Sequence, residues 1–242
     1  MIQLTDVHKQ LGGMDILKGM TFSVPDGQNY VLMGQSGIGK SVTLKHIVGV
    51  LRPDRGSIKV GGHEVPELDR EGLMRLRRRM GYLFQNGALI NWQTVKENVS
   101  LPLKEHGGMS KTEIEDWVIG ALQVVHMAGA ADKLPSEISG GMRLRAGLAR
   151  ALVTEPEYVL YDEPNAGLDP IMANQIHDLI VEVRDRLNVT GLIVTHSRAC
   201  AFAVANHIGV ISDGQIAEEG TIEEMRESGT PLVRDFLQTA AD

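Results

Sequence analysis

The sequence predicts an α/β fold organised around a phosphate-binding loop, and two features of the chain indicate it. The glycine-rich run from Gly34 to Ser41 follows an apolar, strand-like stretch and precedes a helical pattern, which is the context expected of such a loop. Further along, the apolar runs Tyr158 to Tyr161 and Leu192 to Thr195 each end in polar residues, as strands do at the ligand-binding edge of an open α/β sheet. The 242 residues suffice for one large domain or for a core with a subdomain.

Composition and charge exclude several classes of protein. A net charge of -7 argues against a protein that coats nucleic acid by bulk electrostatics, although a local basic patch stays open. The single cysteine, Cys200, excludes an internal disulfide, and its apolar surroundings predict a buried core residue in a reducing compartment. The chain shows no signal-peptide pattern and no apolar run near about 18 residues, so we expect a soluble, cytosolic chain.

The chain before and just after the loop reads as strands. Residues 1 to 33 alternate apolar and polar positions and contain turn residues, which predicts a sheet layer leading into the loop, and Ile58 and Val60 predict another short strand. The arginine-rich stretch Arg70 to Arg79 has helical spacing. Its default interpretation is a solvated helix face, and contact with an acidic partner or a membrane surface stays open.

The middle of the chain has helical patterns without alternating strands. We therefore predict a helical subdomain, residues 86 to 155, inserted within a single domain of residues 1 to 242. Ser110 and Glu113 form a capping box at the start of one helix. The apolar stripe of that helix is expected to be core and consists of Ile114, Trp117, Val118, Ala121, Leu122 and Val125.

The loop itself carries the residue types that phosphate binding needs. Glycines let successive backbone N–H groups curl around an anion, Lys40 can reach terminal phosphates, and the Ser41 hydroxyl can bind magnesium. A helix is expected to begin near Lys40, with an apolar stripe that extends from Leu44 to Leu51. The nucleotide-contacting residues expected here are Gly34, Gln35, Ser36, Gly37, Ile38, Gly39, Lys40, Ser41 and Val42.

Two adjacent carboxylates, Asp162 and Glu163, follow the strand-like run Tyr158 to Tyr161. Alone they would be a solvated turn. Downstream of a phosphate loop, Asp162 can hold magnesium and Glu163 can polarise an attacking water. Gln85 ends the predicted strand that begins at Gly81, and His196 ends the one that begins at Leu192. Gln85, Asp162 and His196 are therefore expected to converge on one crevice.

The remaining helix and hairpin signals lie toward the C-terminus. Asp169 and Pro170 predict an N-cap and first turn of a helix whose buried face extends to Leu187. A hairpin is expected around Asp213 and Gly214, and a capped helix after Thr221. A further helix is expected at Phe236 and Leu237.

In chain order these motifs resemble the full set of an ABC transporter ATPase subunit. The resemblance implies a P-loop NTPase core of ABC ATPase type with an antiparallel β subdomain and an inserted helical subdomain. It implies ATP and Mg²⁺ as ligands, with Gln85 as the Q-loop and His196 as the switch histidine. The implied catalytic residues are Glu163, His196, Gln85 and Lys40, and the implied magnesium ligands are Ser41, Gln85 and Asp162. The implied signature is Ser139, Gly140, Gly141 and Met142, and Asp169 lies in the implied D-loop.

The same resemblance implies partners. The signature of a second copy would complete the ATP site in a head-to-tail dimer, and a separate integral membrane permease would dock near the Q-loop, with residues 86 to 99 as candidates. No nucleic-acid partner is expected. Leu11 stands where relatives often have an adenine-stacking aromatic residue, and Met142 stands where the signature usually has glutamine.

Met142, the loop around Ile38, and the run from Leu83 to Leu89 together resemble the ATPase of Mla/Mce-type phospholipid transport systems. That resemblance implies an Mce-type lipid-binding partner and a peripheral location on the cytoplasmic face of the inner membrane. A transporter of another cargo remains an alternative. A soluble ABC ATPase of DNA repair or translation fits less well, because the chain has one cassette and no long heptad run.

Overall fold

The computed structural model describes residues 1–231, 233 and 234. The chain forms two compact units. The first comprises Met1–Leu76 together with the chain from Thr190 onward, and the second comprises Arg77–Val189. The helix predicted at Phe236 and Leu237 lies outside the described residues. Among the residues that are described, no helix combines the length and the apolar character needed to cross a membrane.

The described part of the chain contains both strands and helices. The strands are β1 (Ile2–Leu11), β2 (Met14–Val24), β3 (Asn29–Met33), β4 (Arg55–Val60), β5 (His63–Glu64), β6 (Met80–Leu83), β7 (Tyr158–Asp162), β8 (Thr190–Thr195), β9 (His207–Ser212) and β10 (Gln215–Thr221). The helices are α1 (Lys40–Ile47), α2 (Arg70–Arg78), α3 (Val95–His106), α4 (Lys111–Val124), α5 (Gly140–Leu152), α6 (Pro170–Leu187), α7 (Arg198–Val204) and α8 (Ile222–Glu227).

The first unit contains an antiparallel sheet in the order β2-β1-β4-β5. Alternate side chains of β1 and β2, among them Ile2, Leu4 and Phe22, are buried. This alternation is the period of two that a sheet with one covered face requires. The antiparallel β subdomain predicted from the sequence is therefore confirmed.

The same unit contains the sheet that leads into the phosphate loop. Strand β3 pairs in parallel with both β8 and β9, and all five of its residues are buried. A continuous apolar run is expected of a strand covered on both faces. Strands β9 and β10 form the predicted antiparallel hairpin, and its turn residues Asp213 and Gly214 have φ angles of 47° and 75°, as a tight hairpin turn needs.

In the second unit, β6 and β7 pair in parallel. Helices and loops connect them, and residues 84 to 157 contain no strand. The predicted capping box of Ser110 and Glu113 begins α4. Val118 and Leu122 are buried as expected, but Trp117 is 39% exposed, so its assignment to the core is wrong.

Leu187, also expected to be buried, is 41% exposed. Trp117 and Leu187 line the same open surface groove together with Val124. Helical spacing identifies the apolar face of each helix, but it does not show that another element covers the edge of that face.

Two predicted elements end earlier than expected. Helix α1 stops at Ile47 rather than continuing to Leu51, because Gly49 takes a φ of 67°. The amides of Val50 and Leu51 then both donate to the carbonyl of Lys45, which closes the helix end. Strand β6 ends at Leu83 rather than at Gln85, so Gln85 lies in the following loop.

Candidate functional site

The phosphate loop connects β3 to α1 within the first unit. Gly37 and Gly39 have φ angles of 82° and 109°, which glycine adopts without the steric cost that other residues incur. Gly39 is the N-cap of α1 and provides no side-chain capping bond. The backbone at this helix start, with its positive dipole end, is therefore suited to an anion rather than to a capping side chain.

Lys40 brings a positive charge into this loop. Its side chain is 5% exposed. Its Nζ donates to the carbonyl oxygens of Gly34 at 2.6 Å and Gln35 at 2.9 Å. The ammonium group is thus held over the loop by backbone acceptors, where it can attract a phosphate group.

The tightness of the loop fits a phosphate cradle. A Cβ atom at Gly34 would overlap the side chain of Ile211, and one at Gly39 would lie 3.1 Å from Ile16 Cγ2 and 3.2 Å from Leu17 Cδ2. At Gly37 the corresponding space is open. Glycines therefore bring the backbone close to its own sheet on one side and leave it accessible on the other, which suits a bound phosphate.

His196 lies beside this loop in the first unit. Met33 and Thr195 are register partners in the parallel pair of β3 and β8. The residues that follow them, Gly34 and His196, therefore emerge from adjacent strand ends. His196 is exposed, and the next residue, Ser197, donates its amide to the Thr195 hydroxyl at 3.0 Å.

The predicted carboxylates occupy the corresponding position in the second unit. Leu83 and Tyr161 are register partners, so the chain after β6 and Asp162 at the end of β7 lie side by side. The Tyr82 hydroxyl donates to Asp162 Oδ2 at 3.1 Å. Burial, reinforced by the nearby Asp162 charge, raises the pKa of Tyr82 far above its ordinary value, so Tyr82 remains a donor at neutral pH.

Glu163 has an unusual backbone conformation. Its φ angle is 50°, which costs a non-glycine residue roughly 1–2 kcal/mol. Its carbonyl accepts the Ala166 amide at 3.2 Å in the turn after β7. Such outliers concentrate at functional sites, and this one sets the direction of the side chain predicted to polarise water.

The loop after β6 is more unusual still. Gln85 is exposed, and the next three residues, Asn86, Gly87 and Ala88, have φ angles of 59°, 75° and 43°. Arg150 of α5 braces this loop. Its Nη2 donates to the Gly87 carbonyl at 2.8 Å and its Nη1 to the Ala88 carbonyl at 2.9 Å.

Neither Arg150 nor Tyr82 was expected from the sequence to belong to the site. Arg150 stands between Ala149 and Ala151 in a helix with buried leucines, and an arginine among small apolar residues was the available signal. Tyr82 lies within an apolar strand, where nothing in the pattern marks its hydroxyl.

The helix predicted after Ser139 is present as α5, and the residues of the implied signature lie at its start. The Ser139 hydroxyl accepts the Met142 amide at 3.3 Å. Asp169 begins α6 in the same way, because its Oδ1 accepts the amides of Ile171 and Met172, both at 3.0 Å. The two helix starts lie against each other, and a Cβ atom at Gly141 would overlap Met172.

The predicted site residues thus divide between the two units. The phosphate loop and His196 belong to the first unit. Gln85, the two carboxylates and the two helix starts belong to the second. Convergence of Gln85, Asp162 and His196 on one crevice stays a prediction.

Comparisons with known proteins agree with the motif set. Residues 17–166 match the family model described as ABC transporter. The chain is 41% identical over 236 residues to a probable ribonucleotide transport ATP-binding protein, Mkl, of Mycobacterium leprae, a match that covers 98% of this chain and 68% of that protein. It is 37% identical over 242 residues to the intermembrane phospholipid transport system ATP-binding protein MlaF of Escherichia coli, covering 100% of this chain and 90% of that protein.

A solved structure is similar over most of its length. It is the dimeric structure of MJ0796, a bacterial ABC transporter cassette, with a TM-score of 0.83 and 30% identity over 92% of this chain and 99% of that one. Another structure of the same cassette is described as a post-hydrolysis state bound to ADP and Pi, with a TM-score of 0.82, 30% identity and the same two coverages. The chain therefore belongs to the ABC transporter family, as an ATP-binding and ATP-hydrolysing subunit.

Proposed function

We propose that this chain powers a transporter that moves phospholipid between membranes. The observation that carries the proposal is the match to MlaF, which extends over the whole of this chain and 90% of that protein. Ile38 within the phosphate loop and Met142 in the signature support the same group.

The residue roles follow from the chemistry of each group. Lys40 and the loop backbone would bind the nucleotide phosphates, and Ser41, Gln85 and Asp162 would hold Mg²⁺. When bound, Mg²⁺ neutralises phosphate charge. Glu163 would accept a proton from the attacking water, and His196 would contact the terminal phosphate.

The proposed assembly contains a second copy of the chain. Ser139 and the residues up to Met142 of that copy would complete the nucleotide site, so that ATP joins the two chains and hydrolysis releases them. Turnover per chain should then rise with concentration in the isolated subunit. A rate independent of concentration from dilute monomer upward would contradict the shared site.

Permease docking is proposed on residues 86 to 99. Trp92, within this stretch, is 82% exposed, and Phe84, just before it, is 47% exposed. Large exposed apolar side chains near one loop are typical of a protein contact. The proposed location is the cytoplasmic face of the inner membrane, with an Mce-type lipid-binding protein as a further partner.

A second cargo has a specific observation in its favour. The name of the mycobacterial relative specifies ribonucleotide transport, and that relative is slightly more similar at 41% identity. The match to it leaves about a third of its length uncovered, since 68% is matched. The cargo therefore needs a direct test.

The test begins with the complex purified from membranes with this chain tagged. Bound lipid is identified by mass spectrometry, and the complex in vesicles is assayed for transfer of a fluorescent phospholipid and for uptake of a radiolabelled ribonucleotide. We expect ATP-dependent phospholipid transfer that Glu163→Gln abolishes, whereas Glu115→Gln, at an exposed site on α4, leaves it unchanged. Ribonucleotide uptake without lipid transfer would support the other cargo. Absence from membranes, or a Glu163→Gln complex with unchanged ATPase and lipid transfer, would contradict the proposal.

A further inference from the structure

Arg150 connects two of the predicted functional segments within the second unit. It lies near the end of α5, the helix that begins immediately after Ser139. Its guanidinium donates to two consecutive carbonyls, those of Gly87 and Ala88. A planar guanidinium can satisfy two such acceptors in one fixed geometry, whereas an ammonium group acts as a point charge.

The loop that Arg150 holds has reason to need a brace. Asn86 and Ala88 both have positive φ angles, which are unfavourable for residues other than glycine. These conformations persist only where surrounding contacts over-determine them. Arg150 supplies two of those contacts directly on the strained backbone.

Close packing reinforces the same connection. A Cβ atom at Gly147 of α5 would lie 2.8 Å from Gly87 Cα and 2.9 Å from its carbonyl oxygen. A Cβ atom at Gly87 would in turn overlap the carbonyl of Arg143. The backbones of the loop and the helix are thus in direct contact. Burial also lowers the pKa of Arg150, and the two carbonyl bonds partly offset that burial.

We infer that Arg150 is a positioning residue for ATP hydrolysis, because it fixes the backbone that follows Gln85 to the helix that begins at the signature. The inference rests on the proposed roles of Gln85 and Ser139. Arg150 then acts as a rigid connection, through which a nucleotide-dependent movement of the loop after Gln85 is transmitted to α5, or the reverse. Arg150 acts through its bonds to the carbonyls of Gly87 and Ala88.

The kinetic test compares Arg150→Gln and Arg150→Lys with the matched control Arg145→Gln. Arg145 lies on the same helix, but it donates to a side chain, that of Gln175, at 2.9 Å. In the purified chain with Mg²⁺ and ATP, we expect Arg150→Gln to lower kcat about 10-fold while the KM for ATP stays within about 2-fold, since misplacement of a catalytic segment lowers the reaction rate. Arg150→Lys should recover only part of the loss, and the control should match the wild type.

A second measurement separates positioning from simple loss of structure. Hydrogen exchange is followed with Mg²⁺ and a non-hydrolysable ATP analogue. We expect exchange to rise in Arg150→Gln both in residues 85 to 90 and in residues 139 to 143, with residues 34 to 41 unchanged.

An unchanged kcat, equal losses in kcat and in affinity for ATP, or loosening confined to residues 85 to 90 would each overturn the inference. If the wild type does not hydrolyse ATP, the proposed function fails, and the exchange pattern alone decides whether Arg150 couples the two segments.

Discussion

The phosphate loop, residues 34 to 39, and the loop after β6, residues 85 to 88, both turn the backbone through left-handed conformations, but they use different residues to do so. In the phosphate loop these positions are Gly37 and Gly39, for which the conformation has no steric cost. In the second loop Asn86 and Ala88 adopt them as well as Gly87. Contacts from α5 must therefore hold the left-handed positions of the second loop, whereas those of the first are glycines and need no such support.

This difference suggests a division of labour. A loop whose left-handed positions are glycines is suited to be a preformed binding site, since its backbone carries no strain that other contacts must hold. A loop held by α5, the helix that begins at the proposed signature residues, can respond to that helix. We therefore expect substitutions around the phosphate loop to change nucleotide affinity, and substitutions in the second unit to change turnover.

The largest expected effect is a change in turnover without a change in nucleotide affinity. Glu163→Gln removes the proposed proton acceptor while keeping the shape of the side chain, so ATP turnover should fall roughly 10²- to 10⁴-fold. The affinity for ATP should stay near that of the wild type, because Lys40 and its loop are intact. Turnover and equilibrium binding of a fluorescent ATP analogue measure the two effects. A parallel loss of affinity would refute the division of labour.

The phosphate loop was predictable because its information is local. Glycine spacing, Lys40 and the flanking strand and helix patterns all lie within a short stretch, and backbone conformation follows from residue type. The capping residues Ser139 and Asp169 were predictable for the same reason, since a cap acts over three residues.

The partners of Arg150 were not predictable, because they lie far away in the chain. Arg150 meets the Ala88 carbonyl across a separation of 62 residues, and no local pattern specifies that contact. The order of the strands was not predictable for the same reason. The parallel pairing of β3 with β8 and β9 joins segments that are far apart in the chain. The errors at Trp117 and Leu187 arose because a helical pattern specifies a face but not its neighbours.

The next prediction concerns the glycine-built loop. Gly39→Ala imposes a φ of 109° on a residue with a Cβ and places that atom 3.1 Å from Ile16 Cγ2. We expect a loss of about 2–3 kcal/mol in the free energy of unfolding from strain and crowding together, measured by urea denaturation. Gly37→Ala, with a φ of 82° and open space around it, should lose only about 1 kcal/mol. Equal losses would show that the contact with β2 does not matter.

A smaller effect tests the contact that supports the other loop. Gly147→Ala adds a Cβ 2.8 Å from Gly87 Cα, which should cost up to about 3 kcal/mol as overpacking. Alanine also favours a helix over glycine by about 1 kcal/mol, so the expected net loss is about 1–2 kcal/mol by urea denaturation. Gly120→Ala in α4, where the added Cβ meets no atom within 4 Å, should instead stabilise the protein. Stabilisation by both substitutions would mean that α5 does not constrain the loop.

The smallest expected effect is on the pH dependence of the free energy of unfolding, and it concerns one buried histidine in each unit. His46, in α1 behind the phosphate loop, donates from Nδ1 to the Val42 carbonyl at 2.7 Å. For His177, in α6, the described residues provide no hydrogen-bond partner to either ring nitrogen. Burial lowers the pKa of both histidines below its ordinary value, so the unfolded chain binds these protons first as the pH falls.

Each histidine therefore lowers the free energy of unfolding on acidification, by at most about 0.7 kcal/mol between pH 7 and pH 6, when its folded form stays neutral. His46→Leu and His177→Leu should each remove that share of the pH dependence, measured by urea denaturation at pH 6 and pH 7.

At pH 7 the two variants should differ in their free energy of unfolding. His46→Leu also loses a hydrogen bond worth about 1 kcal/mol and leaves the Val42 carbonyl without that donor, whereas His177→Leu replaces unbonded ring nitrogens by an apolar group and should be neutral or stabilising. Destabilisation of both variants at pH 7 to the same extent would show that the hydrogen bond in α1 does not distinguish the two sites.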